Sequence, residues 1–314
     1  MGNTKQKILI VGIGGVGGYF GGLLSKAYEQ DDTIDIYFLA RGAHLKSIQQ
    51  HGLKVIRGTQ EFTTRPQLTT DNPSQIGVVD FLMLCTKTYD LEAAIKSLSP
   101  CIDKTTVILP LLNGVDSTPR LKAIFPDNEV LSGCVYIISR IKAPGVVENF
   151  GNIQTLYFGT DQEHPDKYIS FVELLKNANI NTSYTEQIQK VIWEKFIFIS
   201  ATATATSYLD CTTGEILKDE SKRTALIALI KEVAQVARSK KIDIADSIEE
   251  ETLKKLERLP FETTSSMQRD FRQQRRTEVE SLTGMVVKEG LLRKSPTPTY
   301  QKMLEELKTR TAKE

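Results

Sequence analysis

The 314-residue chain carries 40 Lys and Arg against 39 Asp and Glu, a formal net charge of +1, with 40% hydrophobic and 25% charged residues. This is the balance of a globular protein of about two domains, and the lack of a basic excess argues against nucleic-acid or anionic-membrane partners. Cys85, Cys101, Cys134 and Cys211 show no CxxC spacing, and His44, His51 and His164 form no HExxH pair. No disulfide framework and no metal are therefore expected, and a reducing cytoplasm is. The longest apolar run, residues 191–199, is broken by Glu194 and Lys195, so no membrane span is expected. Gly2 opens a start that reads directly into a strand, so no signal peptide is expected, and Gln6 stands where an N-myristoylation signal wants Ser or Thr.

In chain order, KILIV at 7–11 reads as a buried strand feeding a helix over 15–30, and IDIYFL at 34–39 as a second strand. A short helix near 44–50 and strand-like pieces at 53–57 and 60–69 follow, then a turn at Asn72-Pro73. VVDFLMLC at 78–85 and TVILPLL at 106–112 are further apolar strands, separated by a helix at 89–98 that Pro100 stops. A helix near 116–124, a strand near 129–138, β-like stretches at 145–150 and 154–159 and a helix at 166–177 continue the alternation. Strands that are apolar throughout, alternating with helices, predict a parallel doubly wound sheet. From 187 helical periodicity dominates, over 187–209, 213–240, 246–258, 266–290 and 298–312. The fold class is thus α/β, with a Rossmann-type domain over 1–180 and an all-helical domain over 181–314.

The stretch ILIVGIGGVGGYFGG at 8–22 contains Gly12-x-Gly14-x-x-Gly17 between a strand and a helix. In that context Gly12 permits the turn, Gly14 lets the backbone approach a pyrophosphate, and Gly17 lets helix and strand pack closely; Gly15 and Val16 complete the cofactor-binding turn. The helix N-terminus then favours the phosphate charge. NAD sites place an acid at the end of the second strand, but this chain reads Phe38-Leu39-Ala40-Arg41. Arg41 suits a 2′-phosphate, so NADP is the expected cofactor; a surface arginine is the other reading. Lys87 and Asn113 follow strands at the face that lines a cofactor crevice, although Asn-Gly is also a common turn and such a lysine is commonly solvated. Lys195 shares a stripe with Ile188, Val191, Ile192, Ile199 and Thr202 on an otherwise apolar helix. Either it snorkels to solvent, or it is desolvated and its pKa falls toward the range useful for proton transfer. On pattern alone, Ser266 and Glu278 read as surface residues of a charged helix face.

Taken together, GIGGVGG at 12–18, Lys87, LLNG at 111–114, WEK at 193–195, SSMxxD at 265–270, RxTEVE at 275–280, Gly284 and PTP at 296–298 resemble the ketopantoate reductase (2-dehydropantoate 2-reductase) family. The likeness runs over nearly the whole chain. It implies a Rossmann-type domain followed by a helical one, with the active site where the two meet. It implies Lys195 as general acid and Glu278 as the carboxylate that interacts with the reacting oxygen and the lysine. Ser266 and Ser200 match substrate contacts, Asn113 and Lys87 cleft residues near nicotinamide and substrate, and Arg41 the 2′-phosphate contact. The implied reaction is NADPH-dependent reduction of 2-dehydropantoate to (R)-pantoate in pantothenate and coenzyme A biosynthesis, by a protein whose partner is a small 2-keto acid and which can form a homodimer. Two positions depart from the pattern: Ile199 and Thr263 stand where the family commonly has asparagines that hold the substrate. This keeps open a paralogous dehydrogenase of another 2-keto acid or an opine-like substrate, and a non-catalytic NADP(H)-binding sensor.

Overall fold

The computed structural model describes residues 5–160 and 165–311; Gly2 and His164 lie outside them. In order the elements are β1 (Gln6–Val11), α1 (Gly15–Ala27), β2 (Ile34–Leu39), α2 (Gly42–His51), β3 (Leu53–Arg57), β4 (Gln60–Thr64), β5 (Leu68–Thr70), β6 (Phe81–Leu84), α3 (Leu91–Ser97), β7 (Val107–Pro110) and α4 (Ser117–Ile124). There follow β8 (Ser132–Ala143), β9 (Val146–Gly159), α5 (Ile169–Asn177) and β10 (Asn181–Tyr184). The remainder is helical: α6 (Ile188–Leu209), α7 (Thr213–Lys218), α8 (Glu220–Ser239), α9 (Ile248–Glu257), α10 (Ser266–Arg272), α11 (Met285–Arg293) and α12 (Pro298–Thr311). The chain forms two compact units, one running to Leu112 and resuming over Ser117–Ile188, the other made of Asn113–Asp116 and the residues from Gln189 onward.

The first unit contains the expected parallel sheet, in the order β5-β2-β1-β6-β7. Its central strands are largely apolar because both faces are covered. Ile8 and Ile10 enter one core with α1 and α5, whereas Leu9 and Val11 enter another with α3 and α4. The chain leaves β1 toward β2 on one side and returns to β6 on the other. That reversal is the switch point beyond whose carboxyl ends ligands bind in such sheets.

A second sheet, not anticipated from the sequence, runs β10-β9-β3-β4 with β8 antiparallel to β9. Residues 181–184, read from sequence as part of the helical domain, form its edge strand beside β9. Helix α1 is sandwiched between the sheets, and glycines make this possible. A Cβ on Gly21 would lie 3.0 Å from Phe38 of the first sheet, and one on Gly18 or Gly22 would lie 2.6 Å from Val147 or 2.5 Å from Val55 of the second. Each glycine costs a helix about 1 kcal/mol relative to alanine, a penalty offset here by close packing on both sides.

In the helical unit, two helices expected to be continuous are broken. The span read as 213–240 divides at Asp219, whose carboxylate caps the N–H groups of Ser221 and Lys222 at 3.0 Å each. The span read as 266–290 stops at Gln274, which adopts φ +51°. It restarts after the non-helical residues 275–278 with a turn of π-helix, Glu280–Gly284. Side-chain periodicity carries no signal of a left-handed residue, so the break was invisible in it.

Candidate active site

At the end of β1, Gly12 turns with φ +86°, and the Gly14 N–H closes on the Gly12 carbonyl at 2.8 Å. A Cβ on Gly12 would lie 2.9 Å from the Thr86 nitrogen, one on Gly15 2.5 Å from the Ser139 carbonyl, and one on Gly17 2.2 Å from the Gly12 carbonyl. Gly14 differs: among the described residues, nothing lies within 4 Å of where its Cβ would be. Three glycines therefore let the backbone close up, and the fourth leaves open space at the entrance to α1. Neither a side-chain cap nor an acidic residue occupies the first turn of α1. The amides of Gly15, Val16 and Gly17 there suit an anion, and the turn fits a dinucleotide pyrophosphate.

Arg41 lies two residues past β2 and begins α2 as its N-cap. Its guanidinium is 3.2 Å from the Asp90 carboxylate, with the arginine side chain 81% exposed. Lys87 is half-buried directly before the short turn Thr88–Asp90, so it and the partner of Arg41 share one loop after β6. Burial lowers the pKa of His44; the Nδ1 of this histidine accepts the Gly145 N–H at 2.9 Å and ties α2 to the β8–β9 turn.

In the second unit, Lys195 Nζ donates to Asn113 Oδ1 at 2.9 Å, across 82 residues of sequence. Lysine can only donate, so the amide must present its oxygen. Asn113 comes from the loop after β7, where Gly114 adopts φ +105°, a conformation open to glycine at little cost. Of the Lys195 stripe expected from the sequence, Ile188, Ile192 and Thr202 are buried, but the stripe is not the most deeply buried seam of α6. That seam is Trp193, Phe196, Ile197 and Ala201, each 1% exposed or less, whereas Val191, Lys195 and Ile199 form a half-buried flank. The lysine thus sits at the margin of the core, with its ammonium held by a neutral acceptor.

Glu278 is 4% exposed, between buried Thr277 and Val279, so the surface reading from pattern alone is corrected. It lies on the non-helical segment between α10 and the π-turn, and its carbonyl accepts the Leu282 N–H at 3.0 Å. Ser266 is exposed at the first position of α10. Its neighbour Ser265 has its hydroxyl committed, accepting from the Gln268 N–H at 3.0 Å and from Thr206 at 2.8 Å. Ser200, expected at the substrate, is fully buried and hydrogen-bonded to the Leu282 carbonyl and the Tyr300 hydroxyl. It belongs to the interior of the helical unit rather than to a surface a substrate can reach. The run ATATATS at 201–207 belongs to the apolar stretch of α6. Two of its threonines anchor neighbouring segments, Thr204 to Thr283 at 2.8 Å and Thr206 to Ser265. Threonines at alternate positions in an apolar helix were the available signal.

A model of the family described as ketopantoate reductase PanE/ApbA matches residues 8–163, and that of its C-terminal domain matches 187–311. The chain belongs to the ketopantoate reductase family. A 2-dehydropantoate 2-reductase from Porphyromonas gingivalis W83 has a solved structure 36% identical in sequence, with a TM-score of 0.85 over 97% of this chain and 99% of that one. An uncharacterized oxidoreductase of Bacillus subtilis, YkpB, is 28% identical over 286 residues, 91% of this chain and 92% of the relative. A D-mandelate dehydrogenase, solved with NADH and anilino(oxo)acetate, shares the fold with a TM-score of 0.86 at 21% identity, over 98% of this chain and 99% of that one. The chain is an oxidoreductase of this family. None of its described helices is long and apolar enough to cross a membrane.

Proposed function

We propose that this ketopantoate reductase family member reduces a 2-keto acid with NADPH, 2-dehydropantoate to (R)-pantoate being the favoured reaction. The observation that carries the reading is the 2.9 Å bond between Lys195 and Asn113, which aims an ammonium in a chain that also has a dinucleotide turn. When bound, the reduced nicotinamide supplies the hydride for the carbonyl carbon. The amides of Gly15, Val16 and Gly17 hold the pyrophosphate, and Lys87 adds a cation to the same cofactor. Arg41 takes the 2′-phosphate; its exposed pair with Asp90 is worth only ~0–1 kcal/mol, so exchanging partners costs little. Asn113 occupies one proton of the Lys195 ammonium and fixes its direction. The same ammonium gives a proton to the oxygen that becomes the hydroxyl. Glu278 acts with Lys195 at that oxygen, and the exposed Ser266 hydroxyl binds the substrate carboxylate.

Two residues favour a second reading, a keto acid with a larger apolar substituent. Ile199 is half-buried and apolar, and the Thr263 hydroxyl is already committed to the Pro260 carbonyl at 2.6 Å. Neither offers the amide that the family resemblance leads one to expect there. The test follows NADPH oxidation against a panel of 2-keto acids that includes 2-dehydropantoate and phenylglyoxylate, with NADH in parallel. Highest kcat/KM with 2-dehydropantoate and NADPH supports the first reading, and preference for an aryl or long-chain acid supports the second. Tight NADPH binding with no oxidation by any acid would sink both.

A further inference from the structure

Ser200 is five residues beyond Lys195 on α6, and its hydroxyl meets the segment that follows Glu278. It donates to the Leu282 carbonyl at 2.9 Å, and the Leu282 N–H donates to the Glu278 carbonyl at 3.0 Å. One residue of the π-turn is therefore held on its carbonyl side by the lysine helix, while its amide side holds the glutamate backbone. One turn further along α6, Thr204 repeats the pattern by bonding Thr283 at 2.8 Å. Ser200, Thr204 and Thr283 are all completely buried, so no water competes for these bonds.

The Ser200 bond is itself supported. With its proton given to Leu282, Ser200 can only accept from the Tyr300 hydroxyl, 2.7 Å away. Burial raises the pKa of Tyr300, so the phenol keeps the proton it donates. Tyr300 is anchored in turn, since the N–H groups of Thr299 and Tyr300 at the start of α12 both bind the Glu232 carboxylate, at 2.9 and 3.1 Å. A π-turn inserts a residue into the helical ladder and so needs acceptors satisfied from outside; such turns recur at functional sites.

We infer that Ser200, supported by Tyr300, is a positioning residue that fixes Glu278 relative to Lys195 through the backbone of Leu282. This rests on the reading that Glu278 takes part in the reaction. It gives Ser200 a function at the site without contact with substrate, and it explains a polar pair in the centre of an apolar core.

The test uses the full-length chain in four forms: Ser200→Ala, Tyr300→Phe, Glu278→Gln, and Ser200→Ala combined with Glu278→Gln. Turnover is measured with NADPH and the keto acid the wild type reduces fastest, and amide hydrogen exchange is followed at Leu282. Ser200→Ala is expected to lower kcat on the order of 10- to 100-fold, the scale of a small misplacement of a reacting group. KM for the keto acid should stay nearly unchanged, and exchange at Leu282 should accelerate. In the Glu278→Gln background the same change should cost almost nothing further, whereas general loosening of the core would add its own loss. Tyr300→Phe keeps the ring and should give a smaller effect in the same direction, so the inference stays testable if Ser200→Ala folds poorly. Wild-type turnover in Tyr300→Phe and Ser200→Ala, or an undiminished Ser200→Ala effect beside Glu278→Gln, overturns the positioning role. Wild-type turnover in Glu278→Gln overturns the catalytic reading of Glu278 instead, and the exchange rate at Leu282 still reports whether Ser200 holds the turn.

Discussion

At the glycine turn of the first unit, empty space is the functional feature. Gly12, Gly15 and Gly17 have main-chain atoms within about 3 Å of where a side chain would begin, and among the described residues Gly14 has none within 4 Å. At Lys195 in the second unit, the feature is a charged side chain that donates to an amide oxygen. At Gly12, Gly15 and Gly17 the first site tolerates no added atom without moving its backbone, whereas the second can lose its reactive atoms while its scaffold stands. Substitution at the two places should therefore fail in different ways.

The largest effect belongs to Lys195→Ala. General-acid catalysis contributes ~10²–10⁴-fold, and turnover should fall by that amount while NADPH binding and the unfolding midpoint remain near wild type. Fluorescence titration with NADPH beside single-turnover kinetics checks both halves, and retained turnover would remove Lys195 as the acid. At the glycine turn, chemistry and scaffold should fall together or separate according to the position chosen. Gly17→Ala pushes a methyl group to 2.2 Å from the Gly12 carbonyl and should cost roughly 1–3 kcal/mol of stability as well as NADPH binding. Gly14→Ala enters open space and should change stability by less than about 0.5 kcal/mol, yet weaken NADPH by tenfold or more, about 1.4 kcal/mol. Denaturant melts set beside cofactor titrations decide it: if Gly14→Ala binds NADPH normally, the open side of the turn is not where phosphate passes.

Arg41→Ala is the intermediate case, a side chain serving the backbone-built site. A charge-assisted hydrogen bond is worth about 1.5–3 kcal/mol, so kcat/KM for NADPH should drop roughly ten- to a hundredfold and that for NADH should hardly move. An equal fall for both cofactors would mean that Arg41 does not read the 2′-phosphate.

The same contrast explains what the sequence made visible. The glycine turn is local: strand, turn and helix lie within residues 8–22, and backbone sterics demand glycine at fixed spacing. The parallel sheet was legible for a related reason, because strands covered on both faces are apolar at every position. The second sheet was less so, since its long hairpin mixes buried and exposed residues and β10 is only four residues long. In the helical unit, Lys195 and Asn113 are 82 residues apart, and no spacing rule connects them. Only the resemblance to a family singled out Glu278, because a left-handed Gln274 and a π-turn bury it within a stretch whose pattern reads as exposed helix. Ser200 shows the converse limit. The family resemblance suggested a substrate contact there, but five residues along a helix turn a side chain well away from Lys195, here into the core.

The smallest effect separates the stability of the helical unit from its chemistry. Arg238 on α8 binds Glu249 on α9 through two bonds, at 2.5 and 2.8 Å. That guanidinium holds the carboxylate below its ordinary value of 4.5, against the opposing effect of burial. A carboxylate with a depressed pKa in the folded state adds stability that is complete above about pH 4.5 and disappears as the pH falls through the lower folded-state value. Glu249→Gln cannot take part in that exchange. Its unfolding free energy should lie below wild type at pH 7 by no more than about 1 kcal/mol, because the pair is partly solvated, and the two should converge at strongly acid pH. Urea melts between pH 7 and pH 3 test this, with a gap independent of pH as the contrary result. Glu249 has no part in holding Lys195, Asn113 or Glu278, so kcat at neutral pH should remain that of the wild type. A drop in kcat as large as the one expected for Ser200→Ala would mean that any loosening of the helical unit disturbs the lysine, and the distinction between its reactive atoms and its scaffold would fail.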